Sequence, residues 1–129
     1  MENISIPVSP GELLDKITIL EIKTEQISDN EKLHNVKTEL DLLGQVWDQT
    51  SMDNDAVHQL KQSLKATNMD LWEIEDRIRI KEAQKEFDQE FVELARSVYV
   101  QNDKRAATKK KINVLLGSGI MEEKSYADY

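Results

Sequence analysis

The chain has no cysteine, only two prolines and only four glycines in 129 residues. Without cysteine, disulfides, thiolate metal sites and thiol nucleophiles are excluded. The prolines and glycines are too few for the many turns of an all-β fold. The two histidines, His34 and His58, fall in different predicted helices and show no metal-ligand spacing. The absences therefore favour a helical protein without cysteine- or histidine-based chemistry.

Several targeting and catalytic signals are also missing. Residues 1–8 lack the basic start and apolar run of a signal peptide, and no apolar stretch approaches the roughly 20 residues that cross a bilayer. We therefore expect a cytoplasmic protein with no membrane partner. The Walker, G-x-G-x-x-G, G-x-S-x-G and H-E-x-x-H motifs are absent. The formal net charge of −8 makes nucleic acid an unexpected main partner.

Apolar residues recur at helical spacing in four segments. Ser9, Pro10 and Glu12 form a helix-start signal, which Ser28 and Glu31 repeat in part. Together these signals predict helices over about residues 10–27, 30–48, 55–83 and 89–116. They make up a single helical domain, residues 1–117. Residues 118–129 are a polar tail, which we expect to be disordered or to dock on a partner.

Because all four periodic segments have helical spacing, the sequence predicts an all-α fold. Neighbouring helices joined by short loops run antiparallel, so we expect an antiparallel four-helix bundle-like arrangement of two shorter and two longer helices. The longer pair should project beyond the shorter pair and expose its apolar seam. We therefore expect a homo-oligomer, a dimer or tetramer, that covers this seam.

Ionisable and amide side chains interrupt the apolar stripes of the predicted bundle. In the third helix one line of polar and aromatic positions recurs at steps of 4, 3, 4 and 3; in the fourth, polar positions break the stripe; and the first helix has Asp15 on its wide buried face. A buried charge costs several kcal/mol unless it is paired or used. We therefore predict a polar centre, a candidate site drawn from Asp15, Asn68, Trp72, Glu75, Asp76, Arg79, Glu82, Tyr99, Asn102, Asp103, Arg105 and Lys109.

Two interpretations of this centre remain open. It is either a network of ion pairs and hydrogen bonds that fixes helix register, or a ligand or active site. In the second case Asp15, Glu75 and Asp76 would hold Mg²⁺, which prefers oxygen ligands. Contacts to substrate phosphates would then come from Arg79, Arg105 and Lys109. Likewise Trp72 and Tyr99 are either core or interface aromatics, or a stacking surface for a base or sugar ring.

Nearly the whole chain resembles a family of small bacterial helical proteins of unknown function. The resemblance is carried by residues 7–23 (PVSPGELLDKITILEIK), 71–79 (LWEIEDRIR) and 91–99 (FVELARSVY). It continues through Asn102-Asp103, Arg105-Ala106, residues 116–118 (LGS) and residues 122–126 (EEKSY). This resemblance implies membership of that family and does not imply any particular activity.

The chain is also weakly similar to the all-α nucleotide pyrophosphohydrolases of the MazG and dUTPase type. That similarity implies an oligomeric bundle in which E-x-x-D pairs hold Mg²⁺; Glu12–Asp15 and Glu73–Asp76 have this form, while the family's E-E-x-x-E segment is missing. Two hypotheses follow. The first is a small oligomeric, non-enzymatic binding or assembly protein that uses its long helices and tail for self-association or for a protein partner. The alternative is a Mg²⁺-dependent enzyme acting on a nucleotide or another phosphorylated small molecule.

Overall fold

The computed structural model describes residues 2–129 and contains four helices in this range. They are α1 (Pro10–Gln26), α2 (Asn30–Thr50), α3 (Asp55–Ala83) and α4 (Gln89–Leu115). The prediction of an all-α, four-helix bundle-like fold with two shorter and two longer helices is confirmed, the helices having 17, 21, 29 and 27 residues. Within the described residues, none of these helices is both long and apolar enough to cross a bilayer.

Local capping explains where three of the helix ends lie. The hydroxyl of Ser9 accepts a hydrogen bond from the backbone N–H of Glu12 at 3.1 Å and starts α1. The carboxylate of Asp88 accepts from the N–H of Phe91 at 3.0 Å and starts α4. After α4, Gly117 adopts a φ of +63°, the left-handed conformation that ends many helices. These caps satisfy backbone groups that a helix end leaves without partners.

The start of α2 differs from the prediction. The N-cap is Asp29 and not Ser28, because the carboxylate of Asp29 accepts a hydrogen bond from the backbone N–H of Lys32 at 2.9 Å. Aspartate and serine cap helices about equally well. Asp29, one residue after Ser28, is therefore an equally good cap. The Ser-x-x-Glu pattern alone does not distinguish the two residues.

Helix α1 is the centre of the fold. It packs against all three other helices, whereas the backbone of α2 comes close to α1 alone and α3 also packs against α4. The main core cluster draws on every helix and consists of Leu13, Leu14, Ile17, Trp47, Val57, Leu64 and Ile112. A side chain on the inner faces of α1 is consequently enclosed by its neighbours.

The hairpin formed by α3 and α4 projects beyond the end of α1. Gln26, the last residue of α1, lies beside Met69, with its amide nitrogen 3.9 Å from the sulfur. From there α3 continues to Ala83, and residues 84–88 turn the chain into α4. Phe87 and Phe91 pack edge to face at the tip of this hairpin, their ring centroids 5.2 Å apart. Two long helices therefore share an apolar seam that α1 covers only in part.

Residues 118–129, the C-terminal strap, lie back along α4. The carboxylate of Glu122 is 2.8 Å from the ammonium group of Lys109. At the end of the strap, the hydroxyl of Tyr129 donates to Asp103 at 2.5 Å, and its ring meets the ring of Tyr99 edge to face. Charged and aromatic side chains of the tail thus have partners on their own chain, which differs from the disordered tail that we expected as one of two alternatives.

Two glycines provide a matched test of this packing. A Cβ on Gly11 would lie 2.6 Å from the carbonyl oxygen of Lys109 and 2.8 Å from the side chain of Asn113, whereas a Cβ on Gly44 would meet nothing within 4 Å. We expect Gly11→Ala to lower the free energy of unfolding by about 1–3 kcal/mol through overpacking. Gly44→Ala should raise it by about 1 kcal/mol through helix propensity. Urea unfolding measures both; equal effects would contradict the close approach of α1 and α4.

Candidate functional site

The carboxylate of Asp15 lies at the centre of the candidate site. Asp15 is only 1% exposed. Arg105 of α4 binds it with two groups: the Nε donates to one carboxylate oxygen at 2.9 Å, and the Nη2 donates to the other. From α3, the Nδ2 of Asn68 donates to Asp15 at 3.0 Å. One carboxylate of α1 thus joins three helices through charge-assisted hydrogen bonds.

Thr18, one turn after Asp15, completes the network. Its hydroxyl donates to the backbone carbonyl of Asp15 at 2.9 Å. Because that proton is used, the hydroxyl oxygen is free to accept, and the Nδ2 of Asn68 lies 3.1 Å away. Both amide hydrogens of Asn68 are therefore directed at α1, one to the carboxylate and one to the hydroxyl.

These contacts keep Asp15 ionised. Burial raises the pKa of the Asp15 carboxyl, but the hydrogen bonds from Arg105 and Asn68, with the positive charges of Arg105 and Lys109, lower it further than burial raises it. The same hydrogen bond raises the pKa of Arg105. The pair is therefore an anion and a cation at neutral pH, where Asp15 is a poor proton acceptor.

Lys109 lies on the side of this pair that faces the C-terminal strap. Its ammonium group is 2.7 Å from the carboxylate of Glu12, 2.8 Å from that of Glu122 and 3.8 Å from that of Asp15. Burial lowers the pKa of Lys109, but these carboxylates raise it above its ordinary value. Glu12, which the sequence suggested as a capping-box acid or a metal ligand, is thus a partner of Lys109.

A cleft of about 410 Å³ opens on the other side of the Asp15–Arg105 pair, between α1, α3 and α4. We call it the central cleft. Four apolar or aromatic side chains and five polar ones line it: Ile19, Ile22, Leu71, Trp72, Asn68, Glu75, Arg79, Asn102 and Arg105. This volume lies within the range of small-molecule sites, about 300–1,000 Å³, and the mixture of surfaces is typical of them.

The structure divides the predicted site residues into groups. Most of them line the central cleft or lie beneath it: Asp15, Asn68, Trp72, Glu75, Arg79, Asn102 and Arg105. Tyr99 and Asp103 instead hold the end of the strap, and Lys109 holds its middle. Asp76 and Glu82 are exposed on α3 and lie outside the cleft.

The structure does not assemble the magnesium site that the second interpretation of the polar centre requires. Among residues 2–129, no three aspartate, glutamate or histidine side chains converge as metal ligands. The oxygens of Asp15 are taken by Arg105 and Asn68, and Glu75 pairs with Arg79 at 3.1 Å. The three side chains expected to contact phosphate do not share one cleft either. Arg79 and Arg105 line the central cleft, whereas Lys109 binds Glu122 of the strap.

Sequence reasoning missed some residues of the site. Ile19, Ile22 and Leu71 form cleft walls and looked like ordinary core positions. Asn113, whose side-chain oxygen accepts from the backbone N–H of Gly11 at 2.7 Å, was also missed. A signal for it was present, since Arg105, Lys109 and Asn113 recur every four residues and so face the same side of α4.

The chain belongs to DUF6165, a family of unknown function, whose family model matches residues 4–129. The resemblance seen in the sequence is thereby confirmed at the level of the family. No curated protein and no solved structure matches the chain. Its function must therefore be inferred from the geometry of the site.

The Asp15 network predicts a pH-dependent stability. We expect Asp15→Asn to lower the free energy of unfolding at pH 7 by about 3 kcal/mol, since it leaves Arg105 without its anion. The folded-state pKa of Asp15 lies below the ordinary value of 3.8, so its stabilisation is complete above pH 3.8 and is lost as pH falls through the lower folded pKa. The difference between wild type and variant should therefore shrink below pH 3.8.

Urea unfolding of both proteins at pH 7 and at pH 3 measures this difference. Asp76→Asn is the matched control, because it removes an exposed acid from α3 outside the network. The control should leave stability at pH 7 within about 0.5 kcal/mol of wild type. An equal loss from both substitutions would contradict the central role of Asp15.

Proposed function

We propose that this chain is a non-catalytic binding protein that holds a small polar organic molecule in the central cleft. The observation that carries the proposal is the position of Arg105, which belongs to the Asp15 network and also lines the cleft. Arg105 is anchored from below by Asp15 and also lines the cleft beside Trp72, with 31% of its side chain exposed. A polar group that is rigidly held and still accessible is preorganised for a ligand, which lowers the entropic cost of binding.

A purely structural network explains this arrangement less well. Such a network needs its polar groups paired with each other and shielded from water, since unpaired polar groups in the interior are costly. Here Asn102 and Arg105 of α4 lie next to Trp72 of α3 along an open cleft. Three apolar side chains of α1 and α3 complete the walls: Ile19, Ile22 and Leu71. Apolar walls with a few convergent polar groups favour ligand binding.

Binding also fits the cleft better than catalysis does. A general base needs a pKa near the working pH, and the pKa of Asp15 is lowered instead. Glu75 is the one carboxylate among the residues that line the cleft, and it pairs with Arg79. Of the three carboxylates that the magnesium enzyme hypothesis requires, Asp15 and Glu75 are thus paired with arginine, and Asp76 is exposed outside the cleft. These contacts favour a non-enzymatic protein, as in the first of the two hypotheses from the sequence. That hypothesis assigned binding to self-association or to a protein partner, and the small-molecule ligand is new in this proposal.

Tryptophan fluorescence tests the binding function directly. The chain has two tryptophans, of which Trp72 lines the cleft and Trp47 lies in the core. In Trp47→Phe, whose fold is first checked by urea unfolding, the emission comes from Trp72 alone. We expect a ligand from a panel of sugars, nucleosides, amino acids, organic acids and their phosphates to change this emission. At about 100 times its Kd it should also stabilise the protein by about 2.7 kcal/mol.

Two substitutions on α3 provide a contrast for that titration. Trp72→Phe, in wild-type protein, should weaken binding measured by calorimetry, because it shrinks the aromatic wall of the cleft. Glu82→Gln, on the same helix but outside the cleft, should leave the affinity unchanged. A panel in which no compound binds the wild-type chain would refute the proposed function.

We further propose that two or more copies associate through the tip of the α3–α4 hairpin. Three large apolar side chains are conspicuously exposed there: Ile80 by 49%, Phe87 by 57% and Val92 by 43%. They lie on the part of the hairpin that extends past α1. Pairing of this tip with a second copy would bury the apolar seam of α3 and α4, as expected for helices that extend beyond their own bundle.

Analytical ultracentrifugation tests this association. We expect wild type to sediment as a dimer or tetramer and Phe87→Glu/Val92→Glu to sediment as a monomer, because the charges would oppose burial of the tip. Val114→Glu is the matched control, since Val114 is 62% exposed at the other end of α4. A monomeric wild type, or dissociation by the control alone, would contradict the proposal.

A further inference from the structure

The side-chain oxygen of Asn68 is a hydrogen-bond acceptor that the rest of the described chain leaves without a partner. Asn68 is only 5% exposed, and both of its side-chain hydrogen bonds are donated by Nδ2, one to Asp15 and one to Thr18. Within residues 2–129, no fully buried side-chain nitrogen or oxygen lacks a partner. The Oδ1 atom is therefore not fully buried, and Asn68 lines the central cleft.

Chemistry fixes this orientation of the Asn68 amide. If the amide were turned over, Oδ1 would face the anionic carboxylate of Asp15, an acceptor that cannot donate. It would also face the hydroxyl of Thr18, whose proton is already donated to the carbonyl of Asp15. The network beneath the cleft thus directs Nδ2, and not Oδ1, at Asp15 and Thr18, in a residue that also lines the cleft.

Arg105 supplies hydrogen-bond donors next to that acceptor. A guanidinium group has five N–H donors. Asp15 receives a bond from Nε and one from Nη2, and no hydrogen bond from Nη1 to any residue of the range 2–129 is formed. Asn102 adds a further amide to the same wall. The cleft therefore offers donors and an acceptor side by side.

The charges that line the cleft balance. The positive charge of Arg105 is met by Asp15, and that of Arg79 by Glu75, whose carboxylate is 3.1 Å from Nε. A phosphate group gains most from cations that lack an anionic partner, and it would meet the carboxylate of Glu75 here. The electrostatics of the cleft accordingly favour the binding of an uncharged group.

From these observations we infer that the central cleft binds an uncharged ring that carries neighbouring hydrogen-bond donors and acceptors. The donor of the ring meets Asn68 Oδ1, its acceptor meets Arg105, and its face lies against Trp72. Sugar rings and nucleobases share this chemistry. The inference rests on the proposed binding function and names the ligand class of the same cleft.

A titration of the Trp47→Phe protein with matched pairs tests the ligand class. The pairs are uncharged monosaccharides and methyl glycosides against their phosphates, and nucleosides against their monophosphates, with inorganic phosphate alone as the reference anion. We expect an uncharged member to bind, and its phosphate to bind no more than about threefold tighter. Binding by sugars alone or by nucleosides alone identifies the source of the ring and supports the inference in either case.

The two proposals fail in different ways in this titration. A phosphorylated compound that binds at least about tenfold tighter than its uncharged partner, and loses this advantage in high salt, would overturn the ligand class. It would leave the binding function intact. A titration in which no compound binds would refute the binding function and, with it, the ligand class.

Two substitutions isolate the acceptor of Asn68. Asn68→Leu removes Oδ1 and should weaken binding of the uncharged ligand by about tenfold or more, since a ligand donor then loses its partner. Gln62→Leu makes the same amide-to-leucine change on α3 outside the cleft, so affinity should stay within about threefold of wild type. Equal losses from both would contradict a direct contact. Should Asn68→Leu not fold, deoxy analogues with wild type decide: at least one should bind about tenfold more weakly.

Discussion

The burial of one carboxylate, Asp15, on the helix that touches all the others is the constraint that organises this molecule. A charge in that position is tolerated only when it is paired and hydrogen-bonded. Arg105 and Asn68 meet this requirement from α4 and α3. Because both contacts depend on side-chain geometry, they restrict how α3 and α4 slide along α1. The polar centre thus restricts helix register and also lines the central cleft.

The surroundings of Asp15 differ on its two sides. On one side Arg105 leads to the central cleft and Trp72. On the other, Lys109 gathers carboxylates from α1 and from the C-terminal strap. The strap is therefore tied to the same charge network that forms the floor of the cleft. A single electrostatic cluster joins the described C-terminal residues to the candidate ligand site.

The contacts of the acidic residues bear on the two functions that the sequence left open. In an enzyme that uses Mg²⁺, carboxylates would converge with free oxygens. Here the oxygens of Asp15 and Glu75 face arginine side chains, and Asp76 is exposed elsewhere. Pairing of this kind leaves a cleft with balanced charge and directional hydrogen-bonding groups. Such a cleft is suited to recognition more than to acid–base or metal chemistry.

Local patterns in the sequence were enough to predict the helices and part of the site. Capping residues and apolar periodicity act within one or two turns, so helix type and bounds follow from them. The line formed by Asn68, Trp72, Glu75, Arg79 and Glu82 was predictable, because residues spaced by three or four share one face of a helix. The first four line the central cleft, and Glu82 lies beyond it.

Only the tertiary structure decided which groups meet. Arg105 and Lys109 are one turn apart on α4, yet one lines the cleft and the other binds the strap. The partners of Asp15 are 53 and 90 residues away in sequence, at distances set by how the helices cross. No local pattern encodes that packing. The sequence by itself therefore determined the helices and their polar faces. Packing decided which charges cancel and which acceptor stays open, because those outcomes depend on distances between helices.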